Sequence, residues 1–285
     1  MLLVTAPAKI NLTLEVLGKR PDGYHQVKSL FQTIALCDTL FFEPSGELEF
    51  SCTRRDLEHP GNLVVEASRR LQEAAGREQG ARIHLEKRIP VAAGLGGGSS
   101  DAAAALIGLN RLWGLGWSRD QLWPVACALG SDVPFFLYGG TALVEGRGDE
   151  VTPLPALPRQ WVLLLRPPIG EIMGKTAQLY AALKETYFTE GQHTSQVVAR
   201  LRAGGAFDPS TVFNVFERVA AEVFPGLDYF RQQMAKAGAQ RVYLAGSGPT
   251  LFTLMSQRAR AQKAYHYLRG QGVEVYLVET MEARS

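Results

Sequence analysis

The sequence predicts an α+β protein of two domains, because helical and strand-like patterns are mixed in both halves instead of alternating regularly. Residues 10–17 alternate between apolar and polar side chains, which is the period of a half-buried strand. A proline-rich stretch over residues 153–158 breaks the regular patterns near the middle of the chain. We therefore predict an N-terminal domain over residues 1–155 and a C-terminal domain over residues 156–285.

The first predicted strand, residues 10–17, is followed by a second over residues 26–36. The sequence Arg20-Pro21-Asp22-Gly23 between them is typical of a turn. This order puts Tyr24 and His25 at the junction between the turn and the second strand.

Three polar side chains at the start of the first strand, Lys9, Asn11 and Thr13, share one face, which the alternation predicts to be the open face. Helical spacing and strand-like patterns continue through the rest of the first half. We predict helices over residues 62–75, 101–109 and 122–129, strands over 81–89 and 141–144, and a short apolar segment over 133–137.

The second half repeats this mixture of elements. We predict helices over residues 176–185, 211–223, 227–237 and 259–269, and strands over residues 161–165, 241–244, 251–254 and 273–277.

The composition is that of an ordinary globular protein, with 46% hydrophobic and 20% charged residues in 285. A net charge of +2, with basic residues spread along the chain, lacks the basic patch that binding of a phosphate backbone needs. We therefore expect no nucleic acid partner.

Cys37, Cys52 and Cys127 are odd in number and far apart, so the sequence predicts neither a disulfide framework nor a zinc site. A reducing cytoplasm fits this pattern best. The chain also has no run of about 18 apolar residues, so no membrane span is expected.

A glycine-rich stretch, Gly94-Leu95-Gly96-Gly97-Gly98-Ser99-Ser100, leads directly into the predicted helix over residues 101–109. Backbone without side chains allows several N–H groups to approach phosphate oxygens, and the helix N-terminus adds partial positive charge. The sequence therefore predicts a phosphate-binding loop. The alternative is a flexible surface loop.

Two common nucleotide motifs do not fit the chain. The dinucleotide fingerprint fails because Ser99 stands where a third glycine is required after Gly94 and Gly96. The segment from Gly170 to Thr176 resembles a Walker A loop but has three residues between its glycines where the motif has four. A plain helix start, with Thr176 near the cap, explains that segment better.

Three segments, taken together and in this order, resemble the three motifs of the GHMP kinase family. They are Pro7-Ala8-Lys9-Ile10-Asn11-Leu12, the stretch from Pro90 to Ser100, and Leu244-Ala245-Gly246-Ser247-Gly248-Pro249-Thr250. The resemblance implies an N-terminal domain like the second domain of ribosomal protein S5 and a C-terminal domain of ferredoxin-like layout. ATP and substrate would lie in the cleft between them, and Mg²⁺ is expected with ATP.

Two further segments, Arg20–His25 and Gly130–Phe136, resemble the GHMP kinases that act on a cytidine diphosphate conjugate of methylerythritol in the non-mevalonate isoprenoid pathway. Ser131 and Asp101 depart from that pattern, where alanine and asparagine are expected. The alternatives are a mevalonate- or homoserine-type kinase and a nucleotide-binding module without catalysis. The oligomeric state is expected to be a monomer or a weak homodimer.

The resemblance also implies roles for single residues. Asp132 would accept the proton of the substrate hydroxyl, and Lys9 would keep that carboxylate ionised and offset phosphoryl charge. Without the resemblance, Asp132 is a turn residue and Lys9 an exposed strand lysine. The ATP phosphates would contact Pro90, Val91, Ala92, Ala93, Gly94, Leu95, Gly96, Gly97, Gly98, Ser99 and Ser100.

Adenine or ribose would meet Asn62 and Lys87, for which helix-cap and surface roles are the alternatives. Tyr24 and Tyr180 would stack on the cytosine faces and His25 would bond the cytosine edge, with core packing as the alternative for both tyrosines. Asn11 would also reach the substrate, and the Gly246-Ser247-Gly248 loop would close the cleft. The Mg²⁺ ligands are left open among Ser99, Ser100 and Asp101.

Overall fold

The computed structural model describes residues 1–283, which form two β-sheets with helices packed against them. Seven strands make the first sheet and four make the second. The elements of the first half are β1 (Leu2–Lys19), β2 (His25–Ser45), β3 (Leu48–Cys52), α1 (Leu63–Ala75), β4 (Gly80–Glu86), α2 (Gly97–Leu112), α3 (Arg119–Leu129), α4 (Val133–Tyr138), β5 (Thr141–Glu145) and β6 (Glu150–Pro153).

The second half supplies the second sheet and one short strand of the first. Its elements are β7 (Trp161–Arg166), α5 (Lys175–Ala182), α6 (Gln192–Arg202), β8 (Phe213–Asn214), α7 (Ala220–Val223), α8 (Leu227–Lys236), β9 (Tyr243–Leu244), β10 (Leu251–Met255), α9 (Arg258–Gly270) and β11 (Glu274–Glu279).

The first sheet has the order β3-β4-β2-β1-β8, with β5 pairing to β2 and β6 to β5, and the second has the order β11-β7-β10-β9. The chain leaves the first sheet after Pro153 and enters the second at Trp161. However, β8 returns and pairs in parallel with Thr13 and Leu14 of β1. Buried residues from both sheets also share one apolar cluster, in which Ile10 lies with Leu164. The division at residue 155 therefore stays a prediction.

Strand β1 is longer than predicted and is covered on both faces. The prediction that Lys9, Asn11 and Thr13 lie on an open face is wrong, because all three residues are buried. The second half of the chain covers them, and the Thr13 hydroxyl lies 2.8 Å from the Thr194 hydroxyl of α6. The alternating pattern identified the strand, but it could not reveal that a distant helix covers the polar face.

Helix α6 was not predicted, and its start explains why. The residue before it is Gly191, which offers no side chain to cap the first turn. Instead the buried carboxylate of Glu15, on β1, accepts hydrogen bonds from the backbone N–H groups of His193 and Thr194. A carboxylate at a helix N-terminus stabilises it by bonding the unpaired N–H groups and by charge. This start signal comes from the other end of the chain.

The predicted helix over residues 211–223 is wrong for most of its length. Only α7 at its end is α-helical, while β8 and a 3₁₀ turn over Val215–Arg218 occupy the middle. Asn214 directs this path, since its side chain accepts from the Phe216 N–H and donates to the Leu244 carbonyl. Asparagine commonly competes with helix in this way, by bonding nearby backbone.

Candidate active site

Lys9 and Asp132 form an ion pair, with 3.4 Å between Lys9 Nζ and Asp132 Oδ2. The lysine side chain is almost fully buried, whereas a third of the Asp132 side chain is exposed. Asp132 precedes α4, but its carboxylate does not cap the helix, so both oxygens are available to Lys9 and to a ligand. The sequence-predicted pair is therefore brought together.

Neighbouring groups fix the position of the Lys9 ammonium. Asn11 Oδ1 accepts a hydrogen bond from it at 2.8 Å, and the ring of Phe31 lies 4.3 Å away at its centroid. Asn11 is itself held, since its amide donates to Ser29 Oγ at 2.9 Å. Asn11 thus orients Lys9, and its predicted contact with substrate stays a prediction.

The glycine-rich loop is attached directly to the strand that carries Lys9, because the Lys9 N–H donates to the Leu95 carbonyl at 2.9 Å. Gly94 and Gly96 both have left-handed φ angles, of 81° and 71°. A Cβ at Gly94 would lie 2.1 Å from the Ala245 carbonyl oxygen, and one at Gly96 would lie 2.9 Å from the Phe136 ring. Glycine is therefore required at both positions.

The loop lines a cavity of about 360 Å³. Helix α2 begins at Gly97, four residues earlier than predicted, so the first-turn N–H groups of the helix belong to the glycine run. The cavity walls include the start of α1 as well as the loop. Sequence-predicted residues in this lining are Asn62, Lys87, Pro90, Val91, Ala92, Ala93, Gly94, Leu95, Gly96, Gly97, Gly98 and Ser99.

Ser100 is the one predicted loop residue that the structure does not place in the cavity lining. Its N–H donates to the Gly96 carbonyl within α2, so it is not available to a phosphate. Its hydroxyl is buried, and in residues 1–283 it has no hydrogen-bond partner.

Lys87 lies between two buried carboxylates, a cluster that the sequence did not indicate. Its ammonium donates to Asp38 Oδ2 and, at 2.7 Å, to Asp101 Oδ2. Burial, followed by the charge of Asp38, raises the pKa of Asp101 well above its usual range, although Lys87 opposes this. Burial opposes the charge on Lys87, but the two carboxylates raise its pKa. The surroundings of the cluster therefore favour the protonated forms of both Asp101 and Lys87.

Both polar atoms of the Asn62 side chain bond the backbone. Its Oδ1 accepts from the Val64 N–H at the start of α1, and its Nδ2 donates to the Leu57 carbonyl. This is the helix-cap role that we gave as the alternative. Asn62 nevertheless lines the loop cavity, so contact with a nucleotide stays a prediction.

A second cavity, of about 690 Å³, opens on the other side of the Lys9–Asp132 pair. His25 and Tyr180 form its inner wall, with their rings stacked at 17° and 4.4 Å between centroids. The stack means that a planar ligand can reach only one face of either ring. Asp132 and the loop residue Ser131 also line this cavity.

His25 is poised to bond a neutral partner. Its Nε2 is buried, with no hydrogen-bond partner in the described part of the chain. Burial, followed by the charge of Lys19, lowers the pKa of His25, so the ring is neutral at pH 7. A neutral imidazole offers one donor and one acceptor to a ligand edge.

The mouth of the second cavity contains Tyr24, which is 53% exposed, and the Arg147 guanidinium lies over its ring at 5.6 Å. Sequence reasoning missed Arg147 and Thr176 as cavity residues. The turn signal at residues 146–148 could have suggested Arg147, since loop residues often reach ligands.

The arrangement is suited to group transfer between two bound molecules. A glycine-rich loop at a helix N-terminus can accept phosphates, and a cavity with aromatic rings and a neutral imidazole can accept a planar polar group. Between them lie a partly exposed carboxylate and a buried ammonium, which are a base and a source of positive charge.

Described residues contain no disulfide and no cluster of three metal-ligating side chains. None of the described helices is long and apolar enough to cross a bilayer.

Comparison with known proteins gives two family matches. The family described as GHMP kinases N terminal domain matches residues 62–140, and GHMP kinases C terminal matches residues 201–274. The chain is 46% identical over 281 residues to a 4-diphosphocytidyl-2-C-methyl-D-erythritol kinase of Dehalococcoides mccartyi, with 99% of each chain covered. It is 42% identical to the enzyme of that name from a Geobacillus species, covering 99% of this chain and 98% of the relative.

Among solved structures, a 4-(cytidine 5'-diphospho)-2C-methyl-D-erythritol kinase is similar at a TM-score of 0.83 and 35% identity, covering 98% of this chain and 99% of that one. A homoserine kinase from Cytophaga hutchinsonii has a TM-score of 0.76 at 21% identity, covering 99% and 95%. The latter likeness concerns the fold alone. The predicted α+β class is confirmed by these matches and by the two mixed layers of the structure.

Proposed function

This chain belongs to the GHMP kinases, within the family of 4-diphosphocytidyl-2-C-methyl-D-erythritol kinases, and from that premise we propose how its residues perform the reaction. The reaction transfers the γ-phosphoryl group of ATP to the 2-hydroxyl of 4-diphosphocytidyl-2-C-methyl-D-erythritol. The observation that carries the residue assignment is the Lys9–Asp132 pair, at 3.4 Å, between the loop cavity and the His25–Tyr180 cavity.

Phosphoryl transfer depends on alignment and charge stabilisation more than on covalent chemistry of the protein. In our proposal the 2-hydroxyl oxygen attacks the γ-phosphorus while the bond from that phosphorus to the β-γ bridging oxygen breaks. The hydroxyl proton passes to Asp132, and ADP leaves with the bridging oxygen. Lys9 orients Asp132 through their ion pair and stabilises the charge on the transferred oxygens.

We assign the loop cavity to ATP. Residues 96–99 are glycines and a serine, and Gly97, Gly98 and Ser99 supply the first-turn N–H groups that phosphate oxygens require. Leu95 is attached to Lys9 through its carbonyl. The γ-phosphate would therefore be held beside the Lys9 ammonium.

We assign the second cavity to the cytidine end of the substrate. Aromatic rings bind the faces of nucleobases, and the neutral His25 Nε2 can bond the edge of cytosine. The predicted stacking of Tyr180 would use the ring surface that His25 leaves uncovered, and Tyr24 would close the mouth.

Mg²⁺ fits the oxygen donors beside the loop. The Ser100 hydroxyl and Asp101 Oδ1 are buried and, within residues 1–283, have no hydrogen-bond partner, while Ser99 lines the cavity. Mg²⁺ prefers oxygen ligands and is commonly held by one or two protein groups together with phosphates. Bound there, it would neutralise phosphate charge.

The test is ADP release by the purified protein with MgATP, measured separately with 4-diphosphocytidyl-2-C-methyl-D-erythritol, mevalonate and homoserine. Turnover with the cytidine compound alone is expected. Turnover with mevalonate or homoserine instead would leave a kinase but contradict the substrate. No turnover with any of them would contradict catalysis and favour a nucleotide-binding module.

A further inference from the structure

We propose that Lys175 is a positioning residue for the phosphoryl transfer proposed above, on which this inference rests. Its ammonium group holds the loop Gly246-Ser247-Gly248, called here the 246–248 loop, against Lys9 and the glycine-rich loop. Lys175 lies in the segment that resembles a Walker A loop in sequence, but it contacts backbone and hydroxyl oxygens of the protein itself.

Three acceptors surround the Lys175 ammonium. It donates to the Ser247 carbonyl at 3.1 Å, to Ser247 Oγ at 3.2 Å and to the Gly248 carbonyl. An ammonium has three N–H donors, so this side chain is fully used by one loop. The contacts join α5 to a loop more than seventy positions further along the chain.

The opposite side of the 246–248 loop lies against the reaction site. A Cβ at Gly246 would lie 2.7 Å from the Gly94 carbonyl oxygen, 3.2 Å from Asn11 Oδ1 and 3.4 Å from Lys9 Nζ. The loop is therefore in direct contact with the glycine-rich loop and with the groups that orient Lys9. A shift of the 246–248 loop would therefore disturb Lys9 and the glycine-rich loop, because tightly packed groups transmit displacement.

Helix α5 connects this loop to the second cavity as well. Thr176, next to Lys175, donates to Ser247 Oγ at 2.9 Å and also lines the cavity. Tyr180, one turn further on, stacks on His25. Lys175 thus fixes the relative placement of the two cavities that the reaction must align, and misplacement by about 1 Å can cost roughly 100-fold in rate.

Lys175 does not stabilise the fold as a charged group. Burial, followed by the charge of Lys9, lowers the pKa of Lys175 from 10.5 to about 8. A lysine whose folded-state pKa lies below its unfolded value penalises folding when it is charged, and the penalty is relieved as the pH rises from about 8 towards 10.5. A charged amine kept at such a cost to stability indicates a role in positioning.

The same titration gives a readout for the role. The charged groups that share its surroundings are Lys9 on β1, Arg166 at the end of β7 and Glu171 in the segment before α5. Loss of the proton above about pH 8 removes one donor and the charge that holds the loop carbonyls. The value of kcat/KM should therefore fall on the alkaline side because of Lys175.

The experiment compares Lys175→Met, which keeps the length of the side chain but removes its charge, with Lys184→Met at an exposed lysine just after α5. For Lys175→Met we expect kcat/KM to fall about 10- to 100-fold, as for loss of hydrogen bonds from a charged donor. The alkaline limb near pH 8 should disappear, and amide hydrogen exchange in residues 245–250 should accelerate. Thermal stability should be unchanged or raised, and Lys184→Met should behave as wild type.

The proposal would be overturned if kcat/KM of Lys175→Met lay within about twofold of the wild-type value. It would also be overturned if kcat/KM of that variant still fell near pH 8. If Lys175→Met fails to fold, the wild-type protein still tests the proposal. A wild-type kcat/KM that does not change from about pH 7 to pH 9 would overturn it. A wild-type protein inactive on the cytidine compound would contradict the proposed function instead. Hydrogen exchange of the loop would then still test the contact made by Lys175.

Discussion

The ammonium of Lys9 and the carboxylate of Asp132 lie 3.4 Å apart although they come from β1 and from the start of α4. Lys9 is held by Asn11 and by the Leu95 carbonyl, so it moves with the glycine-rich loop. Asp132 instead faces the cavity with the aromatic wall. The ion pair is therefore the point at which the two proposed ligands would meet.

Asp132→Asn should lower kcat roughly 10²- to 10⁴-fold, the usual contribution of a general base, and leave the KM for ATP nearly unchanged. The amide keeps the size of the side chain but cannot take the hydroxyl proton. Asp120→Asn, at an exposed position in the first turn of α3, is the matched control. Steady-state kinetics decide, and an Asp132→Asn enzyme with wild-type turnover would remove Asp132 from the mechanism.

His25→Ala should raise the KM for the cytidine substrate about tenfold, because the base loses its edge partner and Tyr180 loses the ring that stacks on it. The pH dependence has a defined sign. Burial lowers the pKa of His25 from 6.5, so the wild-type KM should rise only as the pH falls below 6.5, when the ring becomes charged. The KM for ATP should not change with the mutation or with this fall in pH. A KM for substrate that is independent of both the mutation and pH would contradict the cytidine assignment.

The sequence was sufficient for elements with a local signature. The first strand, helix α1 with Asn62 as its cap, and the glycine-rich loop before α2 all follow from residues within one turn or one strand. Lys9 and Asp132 could be paired only through a family resemblance, since nothing local to Asp132 indicates a partner on β1.

The remainder depends on contacts between distant segments. Glu15 bonds the N-terminus of α6, and Lys87 forms ion pairs with Asp38 and Asp101. Lys175 donates to the 246–248 loop. Each of these interactions involves a charged group whose sequence surroundings are typical of an exposed residue. Burial by another part of the chain changes its role, and a single sequence does not report such burial. The oligomeric state and a cytoplasmic location stay predictions.

Gly97→Val should raise the KM for ATP sharply, with kcat/KM for ATP falling on the order of 100-fold. A Cβ at this first position of α2 would lie 3.0 Å from both Lys87 Nζ and Ile89 Cγ2, so the valine would displace the cluster beside the loop. Gly18→Val is the control, because nothing lies within 4 Å of a Cβ there. Folding is checked by circular dichroism, and a folded Gly97→Val protein with wild-type ATP kinetics would contradict a close approach of phosphate to this backbone.

Asp101→Asn should make the protein more stable at neutral pH, by on the order of 1 kcal/mol, because one buried charge is removed while Lys87 keeps its bond to Asp38. The pKa of Asp101 is raised in the folded state, so the stability that its protonated form contributes is present below 3.8 and is lost as pH rises through the raised pKa. The gain from asparagine should therefore shrink in acid.

Urea unfolding at several pH values measures this difference, with Asp38→Asn as the matched comparison in the same cluster. Asp38 Oδ1 accepts from the backbone N–H groups of Arg88 and Ile89, so its replacement should destabilise the fold. An amide in place of that carboxylate gives up charge-assisted bonds to two buried donors, whereas Asp101 has an oxygen without a partner in the described residues. Equal destabilisation by both substitutions would contradict this prediction, because Lys87 would then need the carboxylate of Asp101 as much as that of Asp38.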